Sequence, residues 1–301
     1  MKNKEQIAEW FRSLQDKICT GLEELDGLGT FREDIWYRDG GGGGRTRIIN
    51  GNVIQKGGVN FSAVEGQMPE KIAKGLGLDQ NNFFATGVSI VLHPINPYVP
   101  IIHMNVRYFE TDTGRHWFGG GIDLTPHYIF PEDAKYFHTV LKNVCDQYSS
   151  EAYGQYKKWA DDYFYLKHRG ETRGVGGIFF DRLEGLDVDS KLANWEFVKN
   201  VGESFLPIYF KMVLNNNHKP YADRELKWQK LRRGRYVEFN LLWDKGTKFG
   251  LDSNGRTESI LMSLPPEVSW EYDHVPDPHS QEIFTSNHLV KDIDWVNYKE
   301  V

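Results

Sequence analysis

The segment Ser89–Pro126, SIVLHPINPYVPIIHMNVRYFETDTGRHWFGGGIDLTP, restricts the fold more than any other. Two runs with a period of two flank a loop holding Pro94, Pro97 and Pro100. Proline has no N–H for a sheet ladder, so the prolines mark a connection and the runs mark strands. Successive strand side chains point to opposite faces. His103, Asn105 and Arg107 therefore share one face, with Met104, Val106 and Tyr108 on the other. In the first run Ser89, Val91 and His93 share a face. If the runs pair antiparallel, one sheet face gathers Ser, His, His, Asn and Arg. Such a set is costly to bury without partners and suggests a pocket floor for an anionic ligand. The same alternation also describes an ordinary surface strand. The run Gly119–Gly120–Gly121 beside it signals either close approach of a ligand or a bulge.

The rest of the chain reads as strands, then helices, then further strands. Residues 4 to 26 repeat Ile7, Phe11, Leu14, Ile18, Leu22 and Leu25 at helical spacing, and Gly27 is a stop. Gly40 to Gly44 form a glycine run. It lacks the GxGxxG or GxxxxGK[ST] spacing of nucleotide loops and reads equally as a flexible loop. Asn50–Gly51 between apolar runs signals a hairpin, and Gly58 to Val64 alternates as a strand. Pro131–Glu132–Asp133 opens a helix whose apolar face holds Phe137, Leu141, Val144, Cys145 and Tyr148, with His138 beside it. Residues 151 to 167 predict a second helix. In RGVGGIFFD, parity puts Arg173, Val175, Gly177, Phe179 and Asp181 on one face unless a bulge intervenes. A long helix over about 191 to 214 follows, then a shorter one near 222 to 232. RYVEFNLLW, 235 to 243, reads as a strand, residues 256 to 264 as an ordered apolar segment, and 272 to 279 as a surface loop. The pattern predicts an α+β fold: a single domain over residues 1–301, with a large antiparallel β-sheet flanked by α-helices on both faces.

Composition narrows the function. No linker, repeat or low-complexity tract divides the 301 residues. A net charge of -6 argues against a nucleic-acid binder, despite the short basic run Arg232–Arg233–Gly234–Arg235. Two cysteines, Cys19 and Cys145, offer no zinc or redox spacing and fit a reduced compartment. The mixed-charge N-terminus is unlike a signal or transit peptide, and no apolar run reaches membrane-span length. A cytoplasmic protein without an integral membrane segment is expected.

Several long stretches carry a family resemblance. They are GGGGRTRIINGNVIQKGGVNFSAVEG, SIVLHPINPYVPIIHMNVRYF, WFGGGIDLTPHY, KHRGETRGVGGIFFD, RRGRYVEFNLLWDKGTKFGL and GRTESILMSLPP. In this order, nearly end to end, they resemble the oxygen-dependent coproporphyrinogen III oxidases. The resemblance implies oxidative decarboxylation of two of the four propionates of coproporphyrinogen III to vinyl groups. The product is protoporphyrinogen IX, with O2 as acceptor and carbon dioxide and hydrogen peroxide released. It implies no organic cofactor, which agrees with the absence of a dinucleotide fingerprint, a cysteine cluster or a haem-attachment motif.

Site residues implied by the resemblance follow position by position. His103 matches a proton donor. Asp181 and Arg173 match an acid and a base near the substrate's centre. Ser89, Asn105, Val106, Arg107, Asn254, Gly255 and Arg256 match substrate contacts. His93, His103, His138 and His168 match positions assigned to a divalent metal in some bacterial relatives. The region from Tyr236 to Glu271 resembles the part that forms a homodimer. Two positions depart from the pattern: Arg182 stands where a second acid is expected, and Ile102 where a small polar residue is usual. The chemistry fits a tetraanionic substrate, since arginine offers a planar fork to carboxylates and histidine titrates near neutrality. A metal-dependent oxygenase using the same histidines and a non-catalytic tetrapyrrole-binding protein are the competing readings.

Overall fold

A computed structural model describes residues 3–299 apart from 69, 71–72, 75–76, 78–81 and 253–254. It opens with α1 (Lys4–Asp26). The Asn3 side chain accepts the Gln6 N–H in a capping box, and Gly27 ends the helix at φ +78°. There follow β1 (Arg32–Tyr37), β2 (Gly42–Ile49), β3 (Ile54–Gln67), β4 (Asn82–Pro94), β5 (Ile101–Thr111) and β6 (His116–Thr125). Helices α2 (Pro131–Asp146) and α3 (Ala152–Tyr163) lead to a two-stranded hairpin, β7 (Tyr165–Leu166) and β8 (Glu171–Thr172). Strand β9 (Gly177–Glu184) then precedes α4 (Val188–Asn216), α5 (Asp223–Leu242), α6 (Lys245–Asp252), α7 (Thr257–Leu261) and α8 (Gln281–Asn287).

The described residues form one seven-stranded sheet in the order β1-β2-β3-β4-β5-β6-β9, antiparallel throughout. Every neighbour but the last is the next strand in sequence, because short turns can join only antiparallel neighbours. The β1–β2 turn uses the glycine run: Gly41 and Gly42 adopt φ +117° and +76°. The loop into β3 is pinned by Asp26, whose carboxylate accepts the N–H groups of Gly29, Asn52, Val53 and Ile54. Burial works to raise the Asp26 carboxyl, but these four donors hold it below its ordinary value.

Alternation then assigns the two faces. Val59, Val88, Ile90, Met104, Val106, Ile122 and Phe180 point to a face covered by α1 and α4, where Phe11, Leu22, Val201 and Phe205 meet them. Each such side chain, fully buried, contributes about 1.5–3 kcal/mol. The opposite face carries the polar residues. It is covered in part by α3, α5 and the segment holding α7: Tyr236 packs on Val91 and Ile101, and Met262 fills the space above Gly58.

Three expectations about elements require correction. RYVEFNLLW is the end of α5, not a strand. Its β-forming residues are overridden by packing, since Arg232, Tyr236, Phe239 and Asn240 are buried at helical spacing. The helix after α2 stops at Tyr163, because the chain turns into the β7–β8 hairpin. Arg173 precedes β9 instead of belonging to it. Gly176 and Gly177, at φ +75° and +159°, break the extended run, so parity does not carry from Arg173 to Asp181.

Candidate active site

Register lays the polar face out in rows across the strands. One row runs Asp34, Thr46, Asn60, Ser89, Asn105, Gly121, Phe179. The next runs Trp36, Gly44, Ser62, Gly87, Arg107, Gly119. A third holds Val91, His103, Asp123 and Gly177. Ser89, Asn105, Arg107 and His103 therefore share one floor of small and polar residues. Val106 has the opposite parity, and its side chain is buried in the core.

His103 begins a buried chain of polar contacts. Its Nδ1 lies 2.7 Å from Asp123 Oδ1. Asp123 Oδ2 accepts from Arg173 Nη2 at 2.6 Å, and Arg173 Nη1 donates to Asn240 Oδ1 at 2.9 Å. Asp123 and Arg173 are 2% and 4% exposed. Burial alone would raise the Asp123 carboxyl. The Arg173 charge and the His103 hydrogen bond outweigh it and hold the carboxyl below its ordinary value. The Arg173 guanidinium lies over the rings of Phe164, Tyr236 and Phe239 at 4.3, 4.6 and 4.7 Å. It is desolvated yet held charged, burial opposing and Asp123 prevailing. An ionised Asp123 requires the proton of His103 on Nδ1. The His103 Nε2 is then the free nitrogen, on a side chain 24% exposed.

Arg107 and Asp181 form a second group. Arg107 Nη2 sits 3.0 Å from Asp181 Oδ1, and Nη1 donates to Asn105 Oδ1 at 3.0 Å. Between Phe118 and Gly120 the β6–β9 register shifts, so two residues, Asp181 and Arg182, oppose Gly119. Arg182 takes up the bulge at φ +53°. Asp181 then leans over Gly119, where a Cβ would stand 2.4 Å from its Oδ1. Asp181 and Arg173, expected together, are thus separated: Asp181 pairs with Arg107, and Arg173 stands behind His103. At the other end of the rows, Arg256 Nη2 meets Asp34 Oδ2 at 2.5 Å. The segment carrying Arg256 is docked by Ser259, which bonds Thr46 at 3.0 Å and accepts from Asn60 at 3.1 Å. Gly255 adjoins Arg256, and its N–H donates to Gly250 O. Asn254 lies outside the described residues.

The four histidines expected around a metal are not brought together. His138 is buried on α2, with Nε2 on Val175 O and Nδ1 on the Tyr153 hydroxyl. His168, in the β7–β8 turn, places Nε2 on Glu238 and accepts from Trp243 at Nδ1. Both rings have spent both nitrogens. The carboxyl of Glu238 is held down at about 2; burial opposes this, while Arg169, His168 and Trp270 prevail. His93 places Nε2 on Ser263 O, and burial with the Arg233 charge keeps the ring neutral. A cation beside it would face that same charge. Among the described residues no group of three or more His, Cys, Asp or Glu is placed to hold a metal. The residues present do not fit the four-histidine site.

Two members of the site escaped the sequence reading. Asp123 had a weak signal: it shares parity with Gly119 and Gly121 in GGGID. Only register shows that it faces His103. Asn240 was hidden by the assignment of its segment to a strand.

One polar sheet face thus carries Arg107 and His103, with Arg256 over its far end and His103 on the buried Asp123 carboxylate. The chain belongs to the coproporphyrinogen III oxidase family, whose pattern matches residues 6–295. It is 47% identical over 307 aligned residues to a soybean (Glycine max) protein named oxygen-dependent coproporphyrinogen-III oxidase, chloroplastic; the match covers 97% of this chain and 79% of that protein.

Proposed function

We propose that the chain converts two propionates of coproporphyrinogen III to vinyl groups on the polar floor between Arg107 and Arg256, with His103 as the proton-transfer residue. The observation that supports this most is the His103–Asp123–Arg173 relay opening onto that floor. For each propionate, –CH2CH2COO⁻ loses carbon dioxide and the equivalent of a hydride. The two electrons reduce O2, and with one proton hydrogen peroxide results. The chain's residues hold the carboxylates by their charges, orient the ring and move the proton at His103 Nε2. Arg173, expected to act as a base, works in this reading by keeping Asp123 ionised and the His103 tautomer set. Asp181 holds the Arg107 fork and presents a carboxylate toward the pyrrole N–H groups. We read the reaction as needing no organic cofactor, and no step here uses a metal.

The test is turnover of chemically reduced coproporphyrinogen III under air and under nitrogen, with wild type and His103→Ala. Turnover should require air and fall by about 10²- to 10⁴-fold in the variant. Near-normal turnover by folded His103→Ala protein would remove His103 from the role. Activity that survives chelation supports the reading, and loss restored only by one specific metal overturns it.

We also infer a homodimer through the region from Tyr236 to Glu271. Leu241, Leu242, Leu251 and Trp270 are exposed there, apolar side chains that a partner would cover. Sedimentation of wild type and Leu242→Glu tests this. As to location, no helix among the described residues is long and apolar enough to cross a membrane. Two buried free cysteines suit a reducing compartment, and our reading remains the cytoplasm. The soybean relative is named chloroplastic, so imaging of a tagged chain decides between the two.

A further inference from the structure

Arg256 is held by one residue that the sequence did not single out. Asp34 lies on β1, on the polar face, opposite Thr46. Its Oδ2 meets Arg256 Nη2 at 2.5 Å. The side chains are 32% and 37% exposed for Arg256 and Asp34, so the contact stands at the edge of the cleft and is not sealed in the core. The other terminal nitrogen, Arg256 Nη1, is buried and has no hydrogen-bond partner among the described residues. A guanidinium presents its N–H groups in a rigid planar fork. Gripping it at Nη2 therefore fixes the direction of Nη1. A buried donor left unpaired is unfavourable, and a carboxylate arriving at Nη1 removes that cost. The neighbouring chain is docked independently, by Ser259 on Thr46 and Asn60, so Asp34 acts on the side chain and not on the fold of the segment.

The placement also suits the ligand. Asp34 on β1 and Arg107 on β5 are separated by four inter-strand steps, roughly 19 Å at about 4.8 Å each. The Arg107 guanidinium leans over Gly119 toward Asp181, and the floor between it and Asp34 spans a length on the scale of a tetrapyrrole. Ser62 and Gly87 lie between them on the floor.

We propose that Asp34 is a positioning residue that aims the Arg256 fork, so that Nη1 receives one carboxylate of the substrate. This rests on the reading of Arg256 as a substrate contact. Asp34 touches no reacting atom, and its effect passes through Arg256.

The experiment measures the Kd of coproporphyrin III, the oxidised tetracarboxylate, by fluorescence quenching, and KM and kcat with the reduced substrate. The proteins are wild type, Asp34→Ala, Asp34→Asn, Arg256→Ala and the Asp34→Ala/Arg256→Ala double variant, each checked for folding by circular dichroism. Asp34→Ala should raise Kd and KM about tenfold, with a much smaller change in kcat. Asp34→Asn, which keeps a side-chain oxygen for Nη2, should recover most of the loss. In the Arg256→Ala background, Asp34→Ala should have no further effect. Weaker binding by Arg256→Ala with wild-type binding by Asp34→Ala overturns the positioning role and leaves the substrate contact standing. Unchanged binding by Arg256→Ala overturns both. Tighter binding by Asp34→Ala makes Asp34 a competitor for the fork and overturns the proposal.

Discussion

Asp123 and Arg173 show how much a single buried pair can decide. Each is almost wholly removed from water, and each is the other's main compensation. Breaking such a pair from one side leaves an uncompensated buried charge, at a cost of about 3–5 kcal/mol. Asp123→Ala and Arg173→Ala should each lose that much stability in urea unfolding. The double variant should lose clearly less than the sum of the two. Simple additivity would show that the two charges are not coupled. Arg107 is a different case, because its side chain and that of Asp181 are 38% and 30% exposed and solvent screens them. Arg107→Ala should therefore weaken porphyrin binding by about 2 kcal/mol, or roughly 30-fold, at the low end of the range for a charge pair losing a partner. Arg107→Lys should recover only part, since lysine lacks the fork that spans Asn105 and a carboxylate. Arg12, exposed on α1, is the control. Equal weakening by Arg12→Ala would reduce the effect to general electrostatics.

The irregular element is β9. Its bulge is what aims Asp181 over Gly119, and the bulge depends on Arg182 occupying the left-handed region at φ +53°. A non-glycine residue there costs about 1–2 kcal/mol, and β-branched residues tolerate it worst. Arg182→Val should destabilise the protein by about 1–2 kcal/mol, and it should lower activity as the strand straightens and Asp181 leaves Arg107. Arg182→Gly accepts the backbone and should keep both properties closer to wild type. Equal stability and equal activity of the two variants would show that the bulge is not what places Asp181.

At the scale of the whole molecule, the main core among the described residues runs from Ile7 on α1 to Trp295. We expect one cooperative domain with a single unfolding transition by fluorescence and by circular dichroism. Its stability should respond to pH through three histidines held neutral by burial: His93, His127 and His138. His138 is pushed down from 6.5 to about 3, burial being the main cause. A depressed histidine leaves the unfolded chain to bind the proton first. The contribution is complete above pH 6.5 and is lost as pH falls from there toward 3. Each such proton gives a slope of about 1.4 kcal/mol per pH unit. Between pH 6 and 5, above the range where carboxylates titrate, His138→Gln should show a smaller decline of stability than wild type. An unchanged slope would mean that His138 is not the source.

Periodicity was enough to determine α1, the paired strands β4 and β5, and the common face of Ser89, His103, Asn105 and Arg107, because such patterns are local and burial of one face enforces them. The bulge, the left-handed Arg182 and the separation of Arg173 from Asp181 could not be read that way, since one inserted residue reverses parity and leaves no periodic trace. The aromatic and branched residues of helix α5 favour a strand locally, and packing over the sheet reverses the preference. Pairings such as Asp123 with His103, Arg173 with Asn240 and Asp34 with Arg256 join residues 20, 67 and 222 positions apart. Only the sheet register and the docking of α5 and α7 bring them within reach. The sequence determined which side chains of β4 and β5 share the floor. The tertiary structure decided which of them hold one another.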